Sequence, residues 1–407
     1  MEDIKRNLHW KKNVSLFLIG QAVSLVGSSL VSYAVMWHVT LKTQSSVMMT
    51  IFTLATMLPM LFTSPFGGVW ADRFNRKYVI NLADGSIAAV TLIIALCFSF
   101  GLENIYLLFI CSIVRSFGQG IQTPAVASFI PQITPKSQLV RINGINSSIQ
   151  SFTMLGSPAL AGVLLSIAPL QTILFIDVIT AIIGISVLAF LVHAPKVKQE
   201  EQSFPKQSYL SDMKEGLTYI RAHKFIKRLF VVAAISSILF APADFLTPLQ
   251  MTRNFGTAVW RLTAIEILFS IGMILGGLIL ATWGGFKNKT ITFVFGNVIC
   301  GFTILGVGVA TNFWFYLGCM GLCGISVSFN NTAVMSILQT KIDEDFMGRV
   351  FSVSTMIPSV MMSLGMVMFG PLGDIININI IMIGSGIGLI LLEVYVFTDK
   401  ILREAGE

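Results

Sequence analysis

Charged side chains are scarce in this sequence. Only 12% of its 407 residues are Asp, Glu, Lys or Arg, against about 25% in an average soluble domain. Hydrophobic residues make up 54% of the chain, and the mean hydropathy is +0.79. A soluble fold of this composition would leave a large apolar surface in contact with water. The shortage of charge therefore excludes an ordinary soluble domain and predicts a membrane protein.

Motifs for metal, redox and nucleotide chemistry are missing as well. The five cysteines lie in apolar segments, and none belongs to a Cys-x-x-Cys pair, so neither a disulfide framework nor a metal site is predicted. The chain has no Gly-x-x-x-x-Gly-Lys-Ser/Thr loop, which is the phosphate cradle of ATP-driven pumps. We expect no cofactor, no metal and no enzyme activity.

Long hydrophobic runs recur along the whole chain. A helix needs about 20 apolar residues to cross a bilayer, and twelve runs reach that length. The first follows a basic segment but is too long for a signal-peptide core, so we expect it to be retained. The approximate limits of the predicted spans are 14–40, 47–70, 78–100, 104–128, 143–166, 171–193, 229–250, 262–283, 290–310, 313–337, 350–373 and 378–398.

Basic residues are concentrated on one side of the predicted membrane. Twelve spans place both termini on the same side, and that side has 23 of the 27 Lys and Arg residues. The positive-inside rule makes this side the cytoplasm. Topology thus accounts for the net charge of +7, and we predict no nucleic-acid partner.

A polar segment divides the chain into two halves of six spans, at 1–193 and 229–407. The linker, 194–228, includes an amphipathic stretch at Tyr209–Ile220, which predicts a helix lying on the membrane surface or on the bundle. The halves share short motifs, including the glycine pairs Gly67-Gly68 and Gly276-Gly277. Duplicated six-helix bundles joined by a linker are typical of secondary transporters.

One arginine lies inside a hydrophobic run. Arg115 falls within the predicted span 104–128, where a charge costs about 2.5–3.5 kcal/mol on insertion scales. It must pair with a neighbour or face a water-filled cavity. Two roles are open: a structural arginine satisfied by local carbonyl groups, or a residue that tunes a proton-carrying carboxylate.

Five carboxylates also fall within predicted spans: Asp84, Asp177, Asp244, Glu266 and Glu393. Asp244 is the first candidate for a proton carrier because Pro242 and Pro248 interrupt its span, and broken helices form ion sites in transporters. Glu266 and Asp177 are further candidates for proton coupling, together with Arg115.

The four carboxylates other than Asp244 also have structural interpretations that involve no proton transfer. Glu266 has an alternative partner in Arg261, near the outer surface. Asp84 and Asp177 have the alternative of hydrogen bonding between helices. We expect Glu393 to reach toward the cytoplasm, because long charged side chains near helix ends extend to the interface.

The loop from Gly68 to Lys77 resembles a signature of the major facilitator superfamily, Gly-x-x-x-Asp-Arg-x-Gly-Arg-Lys, with Asn75 in place of the second glycine. Asparagine tolerates positive φ, so we expect the turn to be kept. The resemblance implies a latch between the two halves, formed by Gly68, Asp72, Arg73, Arg76 and Lys77.

Two further segments resemble motifs of the same family. Arg115-Ser-Phe-Gly-Gln119-Gly is similar to the fourth-span motif Arg-x-x-Gln-Gly, displaced by one residue. The fifth span resembles the antiporter motif Gly-Pro-x-x-Gly-Gly, with Ala161 replacing a glycine. Close packing of small residues is the alternative explanation of the second motif. Its matching residues are Gly156, Ser157, Pro158 and Gly162.

Polar and aromatic residues within the spans predict a substrate cavity. The 19 Met and 31 Phe residues suit a large, adaptable and mostly apolar pocket, although ordinary packing is an alternative for each residue. We assign the lining to Gln21, Tyr33, Trp37, Gln119, Asn146, Gln150, Phe240, Phe245 and Asn330.

The resemblance implies an all-α membrane protein of twelve transmembrane helices, in two six-helix bundles related by pseudo-two-fold symmetry. Segments such as Gly20–Leu25 and Gly348–Ser352 are similar to the bacterial macrolide-efflux branch. The implied function is proton-driven export of macrolide-like or other amphipathic drugs. The expected partners are that small molecule, protons and the lipid bilayer.

We further expect a monomer that crosses the bacterial inner (plasma) membrane many times, with both termini in the cytoplasm. Two alternative functions are open. One is export of an endogenous metabolite, lipid or siderophore. The other, from a different class, is a non-transporting receptor or scaffold.

Overall fold

The computed structural model describes residues 2–193, 209–343 and 346–404, and within them the side chains of 2–9, 72, 209–214, 348, 352, 403 and 404 are not described. In these ranges every element is helical. The α-helices are α1 (Glu2–Thr43), α2 (Ser46–Arg73), α3 (Arg76–Ser99), α4 (Ile105–Ile133), α5 (Leu139–Ile167), α6 (Leu170–Ser186), α7 (Tyr209–Ala222), α8 (Lys224–Phe245), α9 (Thr247–Phe255), α10 (Val259–Trp283), α11 (Lys289–Val309), α12 (Phe313–Lys341), α13 (Met347–Ile375), α14 (Ile378–Thr398) and α15 (Lys400–Glu404).

Twelve helices in the described ranges are long and apolar enough to cross a membrane. They are α1–α6, α8 and α10–α14, and α6 continues into a π-helical turn at Val187–Leu191. The number of spans predicted from the sequence is therefore confirmed.

Asparagine residues start many of the spans. In α4, the side chain of Asn104 accepts a hydrogen bond from the backbone amide of Tyr106, at 3.0 Å. Such a cap satisfies an amide that has no partner within the helix. The same arrangement starts α3, α11, α12 and α14, with the caps Asn75, Asn288, Asn312 and Asn377.

The seventh span is interrupted as the two prolines predict. Helix α8 ends at Phe245, Leu246 forms the junction, and α9 begins at Thr247. Proline lacks an amide hydrogen and clashes with the carbonyl group four residues earlier. Asp244 consequently lies in the last turn of α8, next to the break.

The chain divides into two compact units. The first consists of Met1–Lys42 and Ile51–Gln202, and the second of Thr43–Thr50 and Ser203–Glu407. The start of α2 belongs to the second unit because Asp374 accepts hydrogen bonds from the amides of Ser46, at 2.8 Å, and Val47, at 3.1 Å. Asp374 also pairs with Arg253, at 2.9 Å.

Equivalent glycines let helices approach closely within each unit. A Cβ on Gly67 of α2 would lie 2.6 Å from the carbonyl oxygen of Gly120 in α4. A Cβ on Gly276 of α10 would lie 2.7 Å from the carbonyl oxygen of Ile325 in α12. Both contacts are shorter than any ordinary Cβ contact, so the repeated glycine pairs mark the same kind of helix crossing.

The amphipathic stretch of the linker forms α7, which packs on the second bundle. Tyr219 and Ile220 are buried in its core. The Tyr219 hydroxyl donates to a carboxylate oxygen of Asp343, at 3.0 Å, and Glu215 pairs with Arg349, at 3.0 Å. Burial raises the pKa of Tyr219, so the hydroxyl keeps its proton for this bond. Helix α7 thereby docks on the start of α13.

Candidate functional site

A buried ion pair joins α4 and α6 in the first unit. The Arg115 guanidinium donates to the Asp177 carboxylate, and the two side chains are 6% and 0% exposed. Arg115 also donates to the hydroxyl of Thr91, at 2.6 Å, and to the carbonyl oxygen of Ser28, at 3.1 Å. The Ser28 hydroxyl donates to the other Asp177 oxygen, at 3.1 Å. Arg115 thus has both a carboxylate partner and a carbonyl partner.

Asp84 lies close to this ion pair. It is buried on α3, beside Gln21 of α1. Gln21 accepts a hydrogen bond from Gln122 of α4, at 2.9 Å. The polar groups of α1, α3, α4 and α6 therefore form one connected region inside the first unit. Gln21, which the sequence assigned to the substrate cavity, belongs to this region.

Asp244 and Glu266 face the same small cavity in the second unit. The cavity has a volume of about 60 Å³, and its other lining residues include Phe240, Thr247 and Cys323. No Lys, Arg or His is among the described residues that line it. The two carboxylates thus share a mostly apolar enclosure without a compensating cation.

Glu266 has no ion pair with Arg261 among the described residues. The Arg261 guanidinium instead lies over the rings of Trp260, at 5.4 Å, and Phe313, at 5.6 Å. A guanidinium over an aromatic ring gains electrostatic stabilisation from the ring face. The alternative partner proposed for Glu266 is therefore occupied elsewhere.

A larger cavity of about 410 Å³ also lies in the second unit. Its walls come from α8, α11, α12, α13 and α14 and are mostly apolar, with amide groups from Asn297, Asn330 and Asn331. Phe240 borders both this cavity and the acid-lined one. Two residues that the sequence assigned to the lining, Phe240 and Asn330, therefore lie together here.

The other residues assigned to the lining lie elsewhere. Trp37 and Phe245 are buried, so we leave both out of the cavity proposed below. Gln119 and Asn146 are half-buried, and Gln150 is exposed. These three and Tyr33 belong to the first unit, whereas the residues that line the two cavities just described belong to the second.

The antiporter-like motif lies on α5. Gly156 and Ser157 border an apolar cavity of about 230 Å³ that α1 and α5 form in the first unit. Pro158 and Gly162 are buried within the helix.

In the described ranges no group of three His, Cys, Asp or Glu side chains is placed to hold a metal ion.

The basic residues of the latch loop bind the ends of helices. Arg76 donates to the carbonyl oxygens of Ala71, at 3.1 Å, and Ser128, at 3.0 Å. Lys77 donates to those of Ala189, at 2.8 Å, and Val192, at 2.9 Å. Basic groups stabilise helix C-termini, where carbonyl groups lack partners. The side chain of Asp72 lies outside the described residues; Gly68 is half-buried in α2 and Arg73 is exposed at its end.

Asn75 keeps the latch turn for a reason other than the one expected. Its φ is −64°, so the turn does not use the positive φ on which the expectation was based. Asn75 instead caps α3, because its side-chain oxygen accepts a hydrogen bond from the Lys77 amide, at 3.1 Å.

This cap predicts a graded effect of substitution. Asn75→Ala should lower the free energy of unfolding by about 1 kcal/mol, whereas Asn75→Gly, which restores the family residue, should cost only about 0.3 kcal/mol. The comparison can be made by SDS titration of the purified protein in detergent micelles. Equal losses in the two variants would show that the cap contributes nothing.

Glu393 does not reach the cytoplasm, so that prediction is wrong. Its side chain is fully buried, and one carboxyl oxygen accepts a hydrogen bond from the Asn297 amide, at 2.7 Å. The available signal was Asn297, a polar residue within a hydrophobic run that has to find a partner inside the bundle.

Comparison with known proteins decides the family. The family model of the Major Facilitator Superfamily matches residues 17–366. The chain belongs to the major facilitator superfamily. This major facilitator is 30% identical over 373 residues to Macrolide efflux protein A of Streptococcus pyogenes, a match that covers 91% of this chain and 92% of that protein. It is 29% identical over 323 residues to the Enterococcus faecalis protein of the same name, covering 79% and 99%.

A solved structure has the same fold. A bacterial homologue of the iron transporter ferroportin, in an inward-facing state, superimposes with a TM-score of 0.71 at 13% identity, covering 95% of this chain and 99% of that one. The expected family and fold class are therefore confirmed. The protein is a multi-pass membrane transporter of the major facilitator superfamily.

Proposed function

We propose that this transporter exports macrolide-like or other amphipathic drugs in exchange for protons, by alternating access. The main support is the arrangement of the two cavities in the second unit. A cavity of about 410 Å³ shares Phe240 with one that encloses Asp244 and Glu266. The proposed drug cavity and a pair of ionisable groups thus share one aromatic lining residue.

The larger cavity suits an amphipathic molecule. Its volume falls within the range of about 300–1,000 Å³ that small-molecule pockets have. Its mostly apolar wall would hold the body of the drug, while Asn330 and Asn331 offer amide donors and acceptors. The relatives named for macrolide efflux favour a macrolide as the first substrate to test.

Asp244 and Glu266 are the proton-coupling groups in this proposal. Two carboxylates in one apolar enclosure repel each other when both are ionised, so the pair favours holding one proton. Release of that proton to the cytoplasm would be driven by about 2.3 kcal/mol per charge for each 100 mV of membrane potential. Arg115 and Asp177, whose charges compensate each other, would hold the first unit together.

The remaining parts of the proposal concern location and control. We place the transporter in the bacterial plasma membrane as a monomer with both termini in the cytoplasm, as the distribution of basic residues favours. The loop at Gly68–Lys77 would act as the conformational latch, and the α5 motif would favour the export direction.

The test measures drug-dependent proton movement. Proteoliposomes with an acidic interior should lose their pH gradient faster than protein-free liposomes when erythromycin is added outside. We expect Asp244→Asn and Glu266→Gln to slow this protein-dependent loss by about tenfold or more, because each removes an ionisable group from the enclosure.

Glu103→Gln is the matched control. Glu103 is an exposed acid that pairs only loosely with Lys42, at 3.6 Å, so its loss should leave the rate unchanged. Wild-type proteoliposomes that behave like protein-free liposomes with every macrolide would refute this substrate class.

A further inference from the structure

Among the residues that the structure describes, Glu393 of α14 is a carboxyl group without a counter-ion. It is 0% exposed, one oxygen accepts the Asn297 amide, and the other is buried with no hydrogen-bond partner. Among the described residues it has no ion pair. Asp177, buried to the same extent, is instead bonded to a guanidinium and to hydroxyl groups. Leaving an ionised carboxylate in the Glu393 environment would be costly, so this structure favours the neutral acid.

A chain of side-chain amides connects Glu393 to the larger cavity. Asn330 donates to the side-chain oxygen of Asn297, and Asn297 donates to Glu393. Both asparagines line the cavity, whereas Glu393 lies behind them. A molecule that bonds to Asn330 competes for the amide that orients Asn297. Occupancy of the cavity can therefore change the hydrogen bond that supports the Glu393 carboxyl.

The other ionisable groups around α14 leave this carboxyl uncompensated. Helices α8, α11, α13 and α15 pack against α14. On α11, the thiol of Cys300 is the titratable neighbour of Glu393. Arg228 of α8 is bonded to Asp399 at the end of α14. The remaining charged groups of these helices with described side chains lie toward helix ends: Lys224, Lys227, Asp244, Lys289, Arg349, Asp374 and Lys400.

We propose that Glu393 is a second proton-binding site of the transport cycle, linked to the larger cavity through Asn330 and Asn297. The inference rests on the proposed proton-coupled export. In the step it adds, the Glu393 O–H bond breaks, the proton passes to water admitted through the cavity, and the carboxylate keeps the Asn297 hydrogen bond. Protonation restores the neutral acid. The cycle then moves one proton beyond the one held by Asp244 and Glu266.

Two assays on proteoliposomes separate coupling from binding. The first measures accumulation of radiolabelled erythromycin against a gradient of one pH unit, where each coupled proton contributes about a tenfold accumulation ratio. The second measures counterflow of labelled against unlabelled erythromycin without a gradient. Counterflow requires binding and alternating access but no net proton movement.

Glu393→Gln should lower the accumulation ratio by about tenfold, the contribution of one proton at this gradient, while counterflow persists. Glutamine remains neutral and can still accept the Asn297 amide. Asn330→Ala should lower accumulation in the same way, because it cuts the chain at the cavity and leaves Glu393 in place. Ser385→Ala is the control, since Ser385 is a buried hydroxyl of α14 that has no hydrogen-bond partner in the described part of the chain. Accumulation by this variant should match wild type.

The outcomes are distinct. Glu393→Gln protein that accumulates erythromycin as well as wild type overturns the inference. If Glu393→Gln does not fold, the Asn330→Ala protein decides, and normal accumulation by that variant overturns the inference equally. If Glu393→Gln accumulates less erythromycin but Asn330→Ala accumulates as much as wild type, the proposed link between Glu393 and the larger cavity is refuted. Wild-type protein with no gradient-driven accumulation refutes the proposed function itself, before any variant is compared.

Discussion

Asp177→Asn is expected to lower the free energy of unfolding by about 3–5 kcal/mol, the cost of leaving one buried charge without its partner. Arg115 is 6% exposed, so water cannot replace the lost carboxylate. Thr91 and the Ser28 carbonyl would still bond to the guanidinium, but neither has a negative charge. The measurement is the SDS-induced unfolding of the purified protein in mixed micelles.

Removing both charges should lower the free energy of unfolding far less than removing one. Arg115→Met combined with Asp177→Leu replaces the pair with apolar side chains, and such replacements are often neutral. We therefore expect the double variant to recover most of the stability that Asp177→Asn loses. Glu103→Gln is the surface control and should cost less than about 1 kcal/mol. A loss from Asp177→Asn no larger than this would contradict the assignment of Asp177 as the essential partner.

Transport by the double variant then tests what else the pair does. If its only role is to hold α1, α3, α4 and α6 together, a folded double variant should still drive drug-dependent proton movement. A folded but inactive double variant would show that the pair also takes part in the cycle. The stability and transport measurements thus answer different questions about the same two residues.

The number and order of the spans could be predicted because lipid leaves the backbone few choices. A spanning segment must satisfy its own amides and carbonyls, which makes it a helix of about 20 apolar residues. The helix break at Leu246 could be predicted as well, because Pro242 and Pro248 each remove a helical hydrogen bond. Asn75 shows the limit of such local rules: the turn was expected, but the reason for it was wrong.

The partners of the intramembrane charges could not be predicted. Both lipid and the bundle interior accept apolar side chains, so the hydrophobic pattern of a span does not show which face is inward. Five acidic residues within spans were possible partners of Arg115, and the packing of both α4 and α6 on α3 brings it to Asp177. The burial of Trp37 and Phe245, and of Glu393 behind Asn297, depends on helix rotation in the same way.

The second large effect is expected at the crossing of α10 and α12. A Cβ on Gly272 would lie 2.0 Å from the carbonyl oxygen of Gly321 and 3.2 Å from the Cα of Gly324. Both are backbone atoms, so no side chain can move aside and the two helices have to separate. Gly272→Ala should therefore lower the free energy of unfolding by about 3 kcal/mol, the upper part of the usual range for overpacking. The same SDS titration measures it.

Gly277→Ala is the matched control, five residues or about 1.4 turns further along α10. Within the described ranges, a Cβ there would meet only the Ser328 hydroxyl, at 3.6 Å, which is an ordinary contact. Alanine is the better helix former by about 1 kcal/mol, so this variant should be as stable as wild type or more stable. Replacing glycine by alanine should thus lower the free energy of unfolding at Gly272 and maintain or raise it at Gly277. If both variants were equally stable, the close approach of α10 and α12 at Gly272 would contribute no constraint on packing.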